Sequence, residues 1–292
     1  MTSTFTSLTA AASPRRTSER VTHIRPSRGW FDLQLDEAWR YRGLLATLVQ
    51  RDIQVLYKQA FLGAAWAIIQ PVLAVIIFTV VFGVLMKVPT PAGIPYPIFA
   101  FAAVLPWNYF AEGLRRGANG LVNEGDIVRK VFFPRMLIPL SGAIAPLLDF
   151  AIGLGVLLIL ILAYGLAPSW HIVAVIPLAL VAGLLALAVS LWLGPINVRY
   201  RDVKHTVPFI IQIWMYASPV VYPLDVVPEQ WRLLYSLNPM VGVIDGFRWC
   251  ILGGQSPLYL PGLAVSVLIV GFFLWFGIRR FRKTEKSLAD LI

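Results

Sequence analysis

Six long apolar segments restrict this chain to a helical, membrane-embedded fold. They lie at about 61–86, 96–114, 137–164, 171–196, 206–222 and 258–278. An α-helix rises about 1.5 Å per residue, so about 20 apolar residues cross the ~30 Å hydrocarbon core of a bilayer. The chain is 58% hydrophobic and only 14% charged, which is typical of a polytopic bundle. The sequence therefore predicts an all-α membrane protein with six transmembrane helices, in which residues 61–292 form a single transmembrane domain.

The positions of the lysines and arginines predict which side of the membrane each connection faces. All but three of the 25 lie in residues 1–60, in the loops after the second and fourth apolar segments, or in residues 279–292; the exceptions are Lys87, Arg232 and Arg248. Cytoplasmic loops are enriched in these residues, so we expect a multi-pass membrane protein with both termini in the cytoplasm. The net charge of +10 then needs no nucleic-acid partner, because no nucleic-acid-binding module accompanies it.

Two regions precede the first apolar segment. Residues 1–29 are rich in Ser, Thr and Arg and have almost no apolar pattern, which predicts a disordered cytoplasmic tail. In residues 30–60, apolar side chains such as Tyr41, Leu44 and Leu48 recur near helical spacing, with arginines between them. This pattern predicts an amphipathic interface helix along the cytoplasmic membrane surface. An ordinary juxtamembrane helix packed on protein is the alternative.

Residues 223–252 are apolar enough for a membrane but divide into two segments that are each too short to cross it. PEQWRLLYSL begins at Pro228, and NPMVGVIDGFRWCIL begins at Asn238 and Pro239. Asn is a good helix N-cap and Pro fits the first helical turn, so we predict a re-entrant helical hairpin between spans 5 and 6. We expect it to gate a pathway. The predicted gate residues are Pro219, Pro223, Asn238, Pro239, Asp245 and Arg248. The i,i+3 spacing of the last two also predicts an ion pair.

Catalytic and cofactor motifs are absent from the sequence. There is no G-x-x-x-x-G-K-[ST] loop for nucleotide phosphates. No nucleophile or metal-ligand set stands out, since His23, His171 and His205 fall in separate regions. We therefore expect no enzymatic activity in this chain, and no cofactor or metal of its own. Asp149 is the only acid near the middle of a span. Such an acid is a candidate for ion coupling, although a lone one facing Ser, Asn or backbone groups fits a structural role better.

Several short motifs within residues 50–250 resemble one family of membrane proteins. They are RDIQVLYKQAFLGAAWAIIQP (51–71), NEGDIVRKVFFPRMLIPL (123–140), NVRYRDVKH (197–205), SPVVYP (218–223) and NPMVGVIDGFRW (238–249). In this order they are similar to the membrane (permease) subunits of ABC-type polysaccharide exporters, the Wzm/KpsM/TarG-like group with the type-2 exporter fold. Ala60 stands where that group usually has Ser or Thr.

The resemblance implies a half-transporter in a bacterial inner (plasma) membrane, that is, a transport subunit and not an enzyme. Two copies of the chain would form the channel, and two separate ABC ATPase subunits of the Wzt kind would bind ATP and Mg below it. The cargo would be a lipid-linked, O-antigen-like polysaccharide that moves from cytoplasm to periplasm. The 115–135 loop would hold a cytoplasmic coupling helix that contacts the ATPase; a solvated connector is the alternative. The implied coupling residues are Asn119, Asn123, Glu124, Asp126, Arg129 and Lys130.

Two further sets of residues suit such a cargo. Basic groups at the cytoplasmic rim can bind the diphosphate of a lipid carrier, because guanidinium groups bind phosphate oxygens bidentately; anionic lipids would attract the same groups. The rim candidates are Arg40, Arg51, Lys58, Arg199 and Arg201. Aromatic rings pack on the C–H faces of sugars, but an interfacial aromatic belt also uses them. The candidates for the substrate channel are Trp66, Trp107, Tyr109, Trp192, Trp214 and Tyr216.

Two other functions stay open. An ABC exporter with the same fold could carry a teichoic-type polymer or a small-molecule drug. A membrane-embedded glycan-processing enzyme is the less favoured alternative, since it would need acids or metal ligands that face each other at one membrane surface. The sequence offers no such cluster.

Overall fold

The computed structural model describes residues 40–58, 65–91, 93–130, 133–200 and 202–291, and it leaves out the side chains of Leu56, Lys58, Ala67, Asp126, Arg129 and residues 286–291. The predicted tail 1–29, the first part of the predicted helix 30–60 and the rim candidate Arg201 therefore lie outside the described residues.

The described residues form helices and connecting turns, with no β-strand among them. The helices are α1 (Arg42–Lys58), α2 (Trp66–Phe78), α3 (Tyr96–Asn123), α4 (Gly125–Lys130), α5 (Leu137–Ile144), α6 (Leu147–Ala163), α7 (Val175–Arg199), α8 (Val203–Tyr216), α9 (Glu229–Tyr235), α10 (Pro239–Ile251) and α11 (Leu260–Leu291). A π-helix, Thr79–Leu85, continues α2, and 3₁₀ turns cover Trp170–Ala174 and Leu224–Val226.

Four described helical stretches are long and apolar enough to cross a membrane. They are Ile68–Leu85, Leu137–Ala163, Trp170–Arg199 and Leu260–Glu285. They correspond to the first, third, fourth and sixth predicted segments, so a multi-pass, all-helical membrane protein is confirmed. The second and fifth predicted segments do not meet the same criterion.

Those two segments fall short for different reasons. α3 has 28 residues, but its later turns carry Glu112 with two ion-paired partners, Arg115 at 2.7 Å and Arg116 at 2.6 Å. α8 has only 14 residues, about 21 Å of helix at 1.5 Å per residue, against a core of about 30 Å. The chain then leaves the helix at Ala217. The count of six spans therefore stays a prediction.

α3 is the central helix of the bundle. It packs against α5, α6, α7 and α10, while α7 also packs against α11. The side chains from Ile98 to Trp107 are all buried. Since protein surrounds this helix, it does not need the apolar surface that lipid demands of a span. This is why α3 can carry Glu112, which is half-buried, within a predicted span; Asn108 is exposed.

Glycines let α3 and α5 approach each other closely. A Cβ atom added to Gly142 would lie 2.7 Å from the backbone nitrogen and 2.8 Å from the Cα of Gly117. Small residues at helix interfaces are a common means of packing in membranes, because they bring backbones into van der Waals contact. This contact fixes the second half of α3 against the start of the third apolar segment.

The two helices of the predicted hairpin begin where the sequence indicates. Pro228 directly precedes α9, and Asn238 caps α10 by accepting the Met240 backbone N–H at 3.1 Å. α9 is largely exposed, whereas the side chains of α10 from Pro239 to Arg248 are buried. The helices are thus confirmed, and their entry into a membrane stays a prediction.

Candidate functional site

A wide apolar groove lies between α8 and α9. Its volume is about 530 Å³. It is lined by Ile210, Ile213, Trp214, Ala217, Leu234, Tyr235 and Asn238. The groove therefore joins a predicted channel aromatic to a predicted gate residue.

Trp214 and Asn238 are directly connected in this groove. The Trp214 indole N–H donates to the Asn238 Oδ1 at 2.8 Å, and the indole ring packs edge-on against Phe110 at a centroid distance of 4.9 Å. The Asn238 amide in turn donates to the Ala217 carbonyl at 2.9 Å and to the Ser218 hydroxyl at 2.8 Å. One asparagine thus ties the end of α8 to the start of α10, so movement of the hairpin would move Trp214.

This geometry separates two substitutions of Trp214. Trp214→Phe keeps a ring against Phe110 but loses one hydrogen bond, which lowers the free energy of unfolding by about 1 kcal/mol. Trp214→Ala also loses the ring and lowers the free energy of unfolding by about 3 kcal/mol or more. If the chain works as the sequence resemblance implies, glycan-stimulated ATP turnover by a reconstituted complex should be largely retained in the Phe variant and should fall in the Ala variant, with ATPase assembly preserved in both. Equal turnover in both variants would contradict a role for the ring.

Arg248 is the most deeply buried charged residue of the described hairpin. Its side chain is 2% exposed, and its two terminal nitrogens donate to the carbonyls of Val220 and Tyr222, each at 2.8 Å. The guanidinium carbon lies 3.7 Å from the centroid of the Phe99 ring. Arg248 therefore holds the SPVVYP turn after α8 against both α10 and α3.

The predicted ion pair between Asp245 and Arg248 is wrong. The Asp245 carboxylate accepts the Tyr259 backbone N–H at 3.0 Å, and Arg248 donates to backbone carbonyls instead. Helical spacing placed the two side chains near each other, but loops that pack on either side of α10 supply closer partners. Both residues line a cavity of about 100 Å³ together with Arg232 and Asp225.

The remaining predicted gate residues lie around the same turn. Pro219 and Pro239 are buried and Pro223 is half-buried. The Tyr222 and Tyr235 hydroxyls lie 2.8 Å apart, which links the turn to α9. The structure thus brings together all six predicted gate residues in one connected region, from the end of α8 to α10.

A second polar cluster lies at the predicted cytoplasmic side. The Arg51 guanidinium on α1 donates to both carboxylate oxygens of Glu124, at 2.7 and 2.8 Å, and to Asp52 at 2.8 Å. The Ser141 hydroxyl donates to the other Asp52 oxygen at 3.2 Å. Burial tends to lower the pKa of Arg51, but the Asp52 and Glu124 carboxylates raise it more, so its pKa lies above the usual value. A predicted rim residue and a predicted coupling residue are thus paired.

The other rim and coupling candidates whose side chains the structure describes do not form one site. Arg40 and Arg199 are exposed, and the Arg199 guanidinium lies 5.6 Å from the Tyr200 ring centroid. Asn123, the last residue of α3, and Lys130, the last residue of α4, are exposed. The side chains of Lys58, Asp126 and Arg129 lie outside the described residues, as does Arg201.

Asn119 has a structural partner that the sequence analysis missed. Its side-chain oxygen accepts a hydrogen bond from the Asn197 amide at 2.9 Å, and Asn197, 1% exposed, also donates to the Ala118 carbonyl at 3.0 Å. Asn119 therefore joins α3 to α7 inside the bundle. The available signal was an Asn at the end of an apolar run, in the NVRYRDVKH stretch.

The six predicted channel aromatics divide by exposure. Trp107 is 3% and Tyr109 is 6% exposed, so both rings lie in the core and away from any surface that a polymer could contact in this conformation. Trp66, Trp192 and Tyr216 are exposed and Trp214 is half-buried. The channel prediction therefore rests on these four rings, of which Trp214 alone lines the α8–α9 groove among the described residues.

Asp149 has one clear partner. Its carboxylate accepts a hydrogen bond from the Tyr57 hydroxyl at the end of α1. The sequence analysis expected Ser, Asn or backbone partners and missed this tyrosine, although Tyr57 lies within the motif 51–71. Among the described residues, no group of three or more His, Cys, Asp and Glu side chains is arranged to hold a metal ion.

Comparison with known proteins shows that this chain is similar to a family of transporters and to individual export and transport proteins. Residues 43–252 match the family described as ABC-2 type transporter. The chain is 32% identical over 258 residues to the O-antigen export system permease protein RfbA of Myxococcus xanthus, covering 88% of this chain and 98% of that protein. A Klebsiella pneumoniae protein of the same name is 28% identical, covering 85% and 95%. The polysialic acid transport protein KpsM of Escherichia coli is 24% identical, covering 82% and 93%.

Proposed function

Because this chain belongs to the ABC-2 type transporter family, we propose that it is the channel-forming membrane subunit of an ATP-driven exporter for a lipid-linked polysaccharide. The polymer, of the O-antigen type, moves from the cytoplasm to the periplasm. The observation that carries this proposal is similarity over nearly the full length of permeases named for O-antigen export and polysialic acid transport.

The geometry of the α8–α10 region supports a polymer pathway. A sliding polymer needs many weak contacts, and an open groove of about 530 Å³ with a half-buried tryptophan provides an apolar, ring-bearing surface. The hairpin beside it is tied to that tryptophan through Asn238. We therefore assign the hairpin 223–252 the role of outer gate. A drug or teichoic-type cargo has no comparable support from the names of these relatives.

The complete transporter contains more than this chain. We propose two copies of it and two ABC ATPase subunits, with ATP and Mg bound by the ATPase. Six spans and two cytoplasmic termini in a bacterial inner membrane complete the arrangement. The location of nearly all lysines and arginines in the predicted cytoplasmic segments supports this topology.

The function is tested by joint expression with the partner ATPase, which we expect the neighbouring reading frame to encode. A strain that lacks both genes should accumulate lipid-linked polysaccharide in the cytoplasm, and the pair together should restore surface polysaccharide. Cells that export their polysaccharide normally without this chain would refute the proposal.

The chain alone should not hydrolyse ATP. It contains no phosphate-binding loop, so the purified subunit should show only background phosphate release, while the assembled complex should show turnover. A variant ATPase without its phosphate-binding lysine is the matched control for contamination. Robust ATP turnover by the purified chain would contradict the proposal that a separate ATPase subunit hydrolyses ATP.

A further inference from the structure

The ion pair between Arg51 and Glu124 joins two parts of the chain that are 73 residues apart. It is bidentate, with both terminal nitrogens of the guanidinium committed to carboxylate oxygens at 2.7–2.8 Å. Such fork-to-fork geometry fixes orientation as well as distance. A lipid diphosphate would have to compete with these carboxylates for Arg51, so the structure favours an internal role for this arginine.

Glu124 is the residue at which α3 ends and α4 begins. Its backbone N–H donates to the Gly120 carbonyl at 2.9 Å, closing α3. Its carbonyl accepts the N–H groups of Ile127 and Val128, each at 3.0 Å, and so opens α4. Fixing the Glu124 side chain therefore fixes the junction from which α4 projects.

α4 depends on such external support. It has six residues, and helices shorter than about 12 residues are marginal on their own in water. Burial of Val128 provides one attachment, and the Glu124 side chain provides another. On the other side of the ion pair, α1 packs against α5, and Asp52 accepts from Ser141 on α5. α1 thus links the α3–α4 junction to the body of the bundle.

We propose that Arg51 is a positioning residue, which acts through Glu124 to hold α4 in the orientation that the ATPase subunit binds. This inference rests on the proposed function and on the coupling role that the resemblance implies for the 115–135 loop, which contains α4. Because pre-organised binding elements lose less conformational entropy on association, loss of the ion pair weakens ATPase binding without removing any contact to the ATPase.

Charge reversal and charge exchange test the inference in the full chain, reconstituted in lipid nanodiscs. Arg51→Glu places a third carboxylate beside Asp52 and Glu124. Hydrogen–deuterium exchange of the α4 amides should then rise. The Kd for the co-expressed ATPase should rise about fivefold, the low end of couplings between distant sites, since the paired side chains are 32% and 25% exposed. The double exchange Arg51→Glu with Glu124→Arg should restore both values.

The matched control is Arg115→Glu. Arg115 also pairs with a carboxylate, but its partner Glu112 lies on the same helix. Charge reversal at Arg115 therefore breaks no contact between two helices and should leave hydrogen–deuterium exchange of the α4 amides unchanged. The inference would be overturned if hydrogen–deuterium exchange of the α4 amides were unchanged in Arg51→Glu. It would also be overturned if the double variant Arg51→Glu with Glu124→Arg were as impaired as Arg51→Glu alone. Faster exchange with an unchanged Kd would overturn it as well. If the wild-type chain binds no ATPase, the proposed function fails instead, and the exchange data still report on the ion pair.

Discussion

Arg248→Ala is expected to destabilise the hairpin by about 3 kcal/mol, because each of two buried carbonyls left without a donor costs about 1–3 kcal/mol. The carbonyls are those of Val220 and Tyr222, both bound at 2.8 Å. Removing the guanidinium also relieves the cost of burying a charge, which offsets part of the loss. The orphaned carbonyls and the lost contact with Phe99 outweigh that gain, since nothing else in the described chain donates to these two groups.

The single cysteine of the chain provides the measurement. Cys250 lies two residues beyond Arg248 on α10 and is 0% exposed, so its reaction with a maleimide fluorophore during heating reports the loss of α10 packing. Arg248→Ala should lower the labelling midpoint clearly. The labelling midpoint of Arg248→Lys should lie between those of the unmodified chain and Arg248→Ala, because an ammonium keeps the charge but lacks the planar fork that reaches both carbonyls.

Arg232→Ala is the matched control for Arg248→Ala. Arg232 donates to the Val227 carbonyl at 3.0 Å and pairs with an exposed Asp225 at 3.3 Å. Partly exposed pairs contribute about 0–1 kcal/mol. A midpoint for Arg248→Ala that matches that of Arg232→Ala would contradict the role assigned to Arg248.

The hairpin shows which features could be predicted from the sequence and which could not. The starts of α9 and α10 followed from Pro228 and Asn238, because helix caps are local and have specific residue preferences. The partners of Arg248 did not follow. Backbone carbonyls are present at every residue, so nothing in the sequence distinguishes Val220 and Tyr222 as acceptors, and the nearest acid in the helix was the natural but wrong choice.

A similar limit applies to the predicted spans and to the polar cluster around Arg51 and Glu124. Apolar length identified four stretches that the structure confirms, but it treated α3 like the others, although α3 is enclosed by protein. Arg51 and Glu124 were each singled out for a separate role. Their pairing depends on how α1 packs on α5, a tertiary contact that spacing along the chain does not encode.

Gly242→Leu is expected to separate α10 from α11, with a cost of about 3 kcal/mol, the upper end for overpacked cores. The Gly242 N–H donates to the Ser266 hydroxyl at 3.2 Å. A Cβ at Gly242 would lie 2.9 Å from the Cα of Leu263 and would also contact the Ser266 side chain. Ser266 could rotate, but the Leu263 backbone belongs to a long helix and cannot move alone. Gly242→Ala should therefore also destabilise the chain, even though Ala is favoured over Gly by about 1 kcal/mol in a helix.

Gly271→Leu is the matched control, since it adds the same side chain to α11 at a glycine whose added Cβ would meet nothing within 4 Å. Thermal labelling of Cys250 should show a lower midpoint for Gly242→Leu and a midpoint near that of the unmodified chain for Gly271→Leu. In reconstituted vesicles, Gly242→Leu should also increase passive leak of a small dye, because α10 belongs to the proposed gate. Equal midpoints in the two leucine variants would mean that α10 and α11 are not packed at Gly242, and a stable but leak-free Gly242→Leu variant would separate this contact from gating.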